Sequence, residues 1–202
     1  MKALYIGLVM VLLSSAADAN DFDSCKACHG QSGEGNSALS APAIAGNLSP
    51  YLLRQLQAFK TQTRGGSDDT ASAQTMSAAV VTLSDEQLVA AAEYFSSLSA
   101  AELSSTDATD RQASGYYQAL CGSCHGPNGE GNKHLSAPRI AGLSNVYLSQ
   151  QIQSFKSGVR QQINEPYARQ MQRMVNEVDD DMMERIIRHI GTLNGEAYLE
   201  SH

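Results

Sequence analysis

Cys25-Lys26-Ala27-Cys28-His29-Gly30 and Cys121-Gly122-Ser123-Cys124-His125-Gly126 hold every cysteine of the 202-residue chain. Two thiols three residues apart, with a histidine directly after, form the attachment pattern for covalent haem. The thiols add to the two vinyl groups along one edge of a porphyrin, and the adjacent histidine reaches the iron as proximal ligand. A thioredoxin-like pair needs a βαβ setting, and no β-branched strand pattern flanks either string. A zinc site built from the four cysteines leaves both histidines without a part. Cys25, Cys28, Cys121 and Cys124 are therefore expected to carry two covalently bound haem c groups, with His29 and His125 as axial iron ligands.

Working outward, the two strings prove to be parts of a longer internal repeat. Gly33-Glu34-Gly35-Asn36 returns as Gly129-Glu130-Gly131-Asn132, and Ser40-Ala41-Pro42 as Ser136-Ala137-Pro138. Ile44-Ala45-Gly46 returns as Ile140-Ala141-Gly142. Tyr51, Gln55, Phe59, Lys60 and Arg64 return as Tyr147, Gln151, Phe155, Lys156 and Arg160, all at an offset of 96. The offset falls to 95 by Leu98 and Leu193, so one residue is lost or gained in between. Two homologous haem domains in tandem are expected, spanning 20–100 and 109–202, with a linker at 101–108 inside a stretch rich in Ser, Thr, Asp and Ala.

Ahead of the first domain, Lys2, the apolar run Ala3 to Leu13 and Ala17-Asp18-Ala19 read as a cleavable signal peptide over residues 1–19. The run is too short to span a bilayer, which takes about 20 apolar residues. Export places the protein in the periplasm, where four cysteines would ordinarily pair as two disulfides; their spacing favours haem instead. The formal net charge of −7 disfavours binding to nucleic acid.

The fold class is read as all-α. Leu52, Leu53, Leu56 and Phe59 give a helical period over Pro50–Lys60, with Ser49 expected as its N-cap. The equivalent helix runs from about Asn145 to Lys156. Ser84-Asp85-Glu86-Gln87 reads as a capping box before Leu88, Ala91, Ala92, Phe95 and Leu98. Asp179 to Leu193 is the counterpart, and about Thr109 to Leu120 has room for a short helix leading into Cys121. Each domain has a small core, which a buried porphyrin enlarges by offering every helix an apolar face.

The far side of each iron decides the chemistry. A second protein ligand gives an electron carrier, whereas an open position permits catalysis. After processing, the first domain retains one methionine, Met76, and one histidine, His29. Matching the final helices pairs Met76 with Met171, and both are expected as axial haem iron ligands. Met174, His134 and His189 remain alternatives to Met171. His134 replaces Ala38 in a Gly-rich loop and reads as solvated; His189 replaces Tyr94 and reads as surface or packing. Thioether ligation stabilises ferrous iron and raises the potential.

These motifs resemble the dihaem cytochromes c of the cytochrome c4 family, over almost all of Cys25 to Leu193. The resemblance implies two class I cytochrome c domains packed face to face, with the carbonyls of Pro42 and Pro138 orienting His29 and His125. It also implies a carrier between a membrane cytochrome complex and a terminal oxidase or other acceptor, with redox proteins as partners and no small-molecule substrate. No catalytic residue is expected. A second reading makes the chain the dihaem subunit of a larger oxidoreductase, such as a sulfide-oxidising flavocytochrome. A dihaem peroxidase, which needs one displaceable ligand, is disfavoured by equivalent methionines in both halves.

One departure from the family stands out: cleavage after Ala19 leaves only Asn20 to Ser24 before the first haem motif. The missing helix would expose the helix that begins at Ser84. Arg139 replaces Ala43, and Arg64 and Arg160 recur. Any of them has the charge to neutralise a haem propionate, yet a surface position is the ordinary expectation. The tail after Leu193 has no counterpart in the repeat.

Overall fold

The computed structural model describes residues 22–100, 110–160 and 166–195. The signal segment, the linker, and the tail beyond Gly195 lie outside the described residues. Within them the chain is helical, with no strand and two isolated antiparallel bridges, Asn36 to Ala41 and Asn132 to Ala137. None of the described helices is long and apolar enough to cross a membrane.

The first domain comprises α1 (Asp23–His29), α2 (Ser49–Lys60), α3 (Ala71–Val80) and α4 (Asp85–Ser97). In the second, α5 (Arg111–Tyr116) runs through a π-helical turn (Tyr117–Cys121) into α6 (Gly122–His125). α7 (Asn145–Lys156), α8 (Pro166–Asn176) and α9 (Asp180–Ile190) follow. The matches Met76/Met171, Ala73/Ala168 and Val80/Val175 hold along α3 and α8, and both alanines and both valines are buried.

Caps explain most helix starts. Ser84 accepts from the Gln87 N–H while the Gln87 side chain accepts from the Ser84 N–H, which completes the expected capping box of α4. Asp179 caps α9 and Ser144 caps α7 through the Tyr147 N–H. The expectation that Ser49 caps α2 is corrected. Leu48 holds that place, because its carbonyl accepts the first intrahelical bond, from the Leu52 N–H at 2.9 Å. Leu48 is the repeat equivalent of Ser144, so the cap position is kept and the capping side chain is lost.

Phe22 stands where the departure from the family was expected. It is buried against Tyr94 and Phe95, with ring centroids 4.7 and 5.9 Å away. The corresponding place in the second domain is filled by α5 and Tyr117, which is fully buried against α9. Val89 on α4 is exposed. Any helix preceding Phe22 lies outside the described residues.

Asp110 ties α5 down twice. Its carboxylate accepts from the Gln112 and Ala113 N–H groups as an N-cap, and pairs with Arg185 of α9 at 2.7 and 2.9 Å. The Arg185 hydrogen bond, helped by the capping amide of Ala113, holds the carboxyl down to about 2. A carboxyl that ionises at lower pH in the fold than in the unfolded chain contributes stability above its unfolded value and loses it as pH falls through the folded one. A weaker hold on the start of α5 is therefore expected between about pH 4 and pH 2. The protection of the α5 amides, measured against their intrinsic exchange at each pH, should fall across that window and stay level in Asp110→Asn.

Candidate haem sites

Each attachment helix ends where a glycine-rich loop folds back over it. The Gly35 N–H donates to the His29 carbonyl (2.7 Å), and Asn36 and Ala41 exchange backbone bonds. Gly35 has φ +90, and a Cβ there would meet the backbone nitrogen of Ala43 at 2.6 Å. Only glycine permits this approach, which sets Pro42 over the histidine. Gly131 repeats it against Arg139 at 2.6 Å with φ +89.

The consequence is visible at both histidines. His29 Nδ1 donates to the Pro42 carbonyl at 2.8 Å, and His125 Nδ1 to the Pro138 carbonyl at 2.8 Å. A carbonyl only accepts, so Nδ1 carries the proton and Nε2 keeps its lone pair. Both rings are buried, and burial pushes their pKa below the ordinary imidazole value, which favours the neutral, ligating form. This fixing of ring and tautomer by a backbone acceptor is the outer-shell arrangement typical of metal-ligating histidine.

No disulfide joins any of the four cysteines. Burial raises the Cys25 thiol and pushes Cys121 up to about 11, so neither is poised as a thiolate. No group of three or more His, Cys, Asp or Glu side chains among the described residues is arranged to hold a metal ion.

Two apolar clusters make up the first core. Cys25, Ile44, Leu52 and Phe95 belong to one, Phe59, Met76, Val80 and Leu88 to the other, and Leu53 and Leu56 of α2 touch both. In this domain the attachment side and the methionine side thus fall in two apolar clusters joined through α2. In the second domain Cys121 and Met171 pack against one continuous cluster around Ile186. Met174 is half-buried on the same helix. His134 is exposed, as read from sequence. His189 is buried edge-on to Tyr117, 5.4 Å between centroids, at the α5/α9 junction; packing, not surface, is its place.

The expectation of surface arginines fails at all three. Arg64 and Arg160 are only 5% and 8% exposed. They lie between the domains, bonded to Gln55, Gln151, Tyr51 and Tyr147. Tyr51 is half-buried, and desolvation of its phenol opposes ionisation, yet the Arg160 and Arg64 cations bring it below the usual value. Among the described residues neither arginine forms an ion pair with a carboxylate. Haem is a dicarboxylate, so the donors present here fit it. Sequence reasoning missed the tyrosines and glutamines as functional groups. Their recurrence at 51, 55 and 147, 151, one helical turn apart, was the signal. Arg139 is half-buried, and its guanidinium holds the Asn194 and Gly195 carbonyls, which gives part of the unmatched tail a partner.

Asn47 and Arg139 add a second interdomain contact, the Asn47 amide pairing with the Arg139 backbone at 3.0 and 3.2 Å. Arg54 adds a third, donating to the Ser136 carbonyl and lying over the Tyr167 ring.

Two tandem helical domains, each with a haem-attachment string and an oriented histidine, define a dihaem c-type cytochrome. The family model for cytochrome c matches residues 19–99 and again 112–194. Cytochrome c4 of Azotobacter vinelandii is 33% identical over 165 residues, 76% of this chain and 78% of its own. The thiosulfate dehydrogenase electron acceptor of Thiomonas intermedia is 34% identical over 73% of this chain and 69% of its own. The crystal structure of reduced recombinant cytochrome c4 from Pseudomonas stutzeri superposes with a TM-score of 0.71 at 27% identity, covering 84% of this chain and 93% of that one. The chain belongs to the cytochrome c family and, within it, to the dihaem cytochrome c4 type. It carries two covalently bound haem c groups and transfers electrons.

Proposed function

We propose that the chain is an exported periplasmic carrier that passes electrons one at a time through two His/Met-ligated haems and has no catalytic site of its own. The observation that carries this reading is the duplicated imidazole held by a backbone carbonyl, with a methionine at matched register in each domain. Haem, when bound, supplies an iron that alternates between ferric and ferrous states. Cys25 and Cys28 hold one group, Cys121 and Cys124 the other. When haem is bound, His29 and Met76 would hold the iron of the first group and His125 and Met171 that of the second, and the methionines would exclude water and oxygen. Ligands carried on packed helices would need little rearrangement when an electron moves. Domains spanning 20–100 and 109–202, joined by the linker 101–108, follow from the same reading.

Partners are redox proteins. A specific thiosulfate-linked role is supported by the Thiomonas relative and by the thiosulfate dehydrogenase TsdBA of Marichromatium purpuratum. That structure matches 84% of this chain, though only 36% of its own length, with a TM-score of 0.67. Those likenesses fit a dihaem partner of a larger oxidoreductase equally well. Anaerobic reductive titration should consume two electron equivalents per chain, and a thiosulfate dehydrogenase with thiosulfate should supply them. Hydrogen peroxide consumption by the reduced protein at enzymatic turnover would defeat the carrier reading.

A further inference from the structure

Four side chains close a ring across the domain boundary, and two tyrosines hang from it. Arg64 donates through Nη1 to Gln55 Oε1 of its own domain (2.7 Å), and through Nη2 to Gln151 Oε1 (2.8 Å) and the Tyr147 hydroxyl (3.1 Å) of the other. Arg160 does the reverse, donating to its own Gln151 (2.7 Å) and to Gln55 (3.0 Å) and Tyr51 (3.1 Å) opposite. Each glutamine oxygen therefore accepts from both guanidiniums, and each arginine is bonded on both sides of the boundary.

The ring brings two buried positive charges close together. Asp69, whose carboxylate accepts from the Gly65 N–H, acts on Arg64 only at longer range. Burying like charges is costly unless something negative lies nearby, and in a low-dielectric setting their field reaches far. The carboxylates of haem would supply that negative charge when the group is bound, and the methionine side of each core also lies nearby. The Arg64 guanidinium carbon stands 4.4 Å over the Phe59 ring and that of Arg160 4.5 Å over Phe155. Phe59 packs in the cluster that holds Met76, and Phe155 in the one that Met171 packs against.

We propose that Arg64 and Arg160 are crossed positioning residues of the two haem centres: each guanidinium is set in place by the opposite domain, and the pair acts as one shared positive charge on both irons. The proposal rests on the His/Met reading of both centres. A ferric centre carries one more positive charge than a ferrous one, so the ring favours the reduced state at both. Removal of one guanidinium also frees the glutamine oxygen that anchors its partner, so the loss is felt in both domains.

The test is a potentiometric titration of the holoprotein in which the two haems are resolved by NMR. Arg64→Gln is expected to lower both potentials, each by on the order of tenfold in the reduced-to-oxidised ratio, about 59 mV for one electron. Arg160→Gln should do the same, and Arg64→Lys, which keeps the charge, should restore most of the loss. Should Arg64→Gln fail to fold, Tyr147→Phe serves, since it removes only one of the two groups that hold Arg64 from across the boundary and leaves Gln151 in place; a smaller fall at both haems is expected. A shift confined to the haem of the substituted domain, or no shift at either, overturns the proposal. A wild-type protein with fewer than two haems would instead sink the haem assignment, and the proposal with it.

Discussion

Met76→Ala is expected to lower the potential of the first haem by roughly 0.1–0.3 V, a fraction of the ~0.8 V that axial ligands span, and to open that iron to carbon monoxide. Thioether sulfur is a soft ligand that prefers ferrous iron, so its removal withdraws stabilisation from the reduced state. The protein should survive the change. Met76 is half-buried in a cluster whose buried members, Phe59, Ala73, Val80 and Leu88, remain, and the haem stays attached through Cys25 and Cys28. Reduced spectra with carbon monoxide should show half of the haem shifted and half unchanged. Met171→Ala is expected to mirror this in the second domain, whereas Met174→Ala leaves both irons closed. An unaltered potential and no carbon monoxide binding in Met76→Ala would place the sixth ligand elsewhere.

The second large effect concerns folding. Cys121→Ser combined with Cys124→Ser is expected to halve the haem content and to unfold the second domain while the first keeps its spectrum. A porphyrin that covers on the order of 400 Å² of apolar surface contributes about 10 kcal/mol at ~25 cal/mol per Å². That is comparable with the entire stability of a small domain, about 5–15 kcal/mol. α9 lies at the centre of that domain's core: Met182, Met183, Ile186, Ile187 and Ile190 are all buried in the cluster that Cys121 packs against. Circular dichroism should lose roughly half of its helical signal. Retention of full helicity with one haem would show that the core of the second domain stands without the cofactor.

Much of this molecule could be read in advance because its chemistry is local. Haem attachment needs its thiols and histidine contiguous, so two strings disclosed two centres. α7 spans the expected Asn145–Lys156 because its cap, its apolar period and its end all lie in one short stretch. The pairing of Met76 with Met171 also came from sequence, because a fixed spacing to the last helix survives the single-residue change of offset. What stayed hidden is non-local. The start of α2 depends on which carbonyl the Leu52 N–H finds, and neither Ser49 nor Pro50 reports that. The burial of Arg64 and Arg160 depends on a second domain approaching each of them, and Arg139 on carbonyls more than fifty residues away. A charged side chain reads as surface until the neighbour that covers it is known.

The central claim, two closed haems on one chain, is tested most directly by a haem count on the purified protein joined to its reduced spectrum with and without carbon monoxide. Two haems per chain and no shift on adding carbon monoxide are the predicted result, with Met76 and Met171 closing both irons. One haem per chain, or a shift in half of the absorbance, would contradict the account and leave an iron open for ligand binding or catalysis.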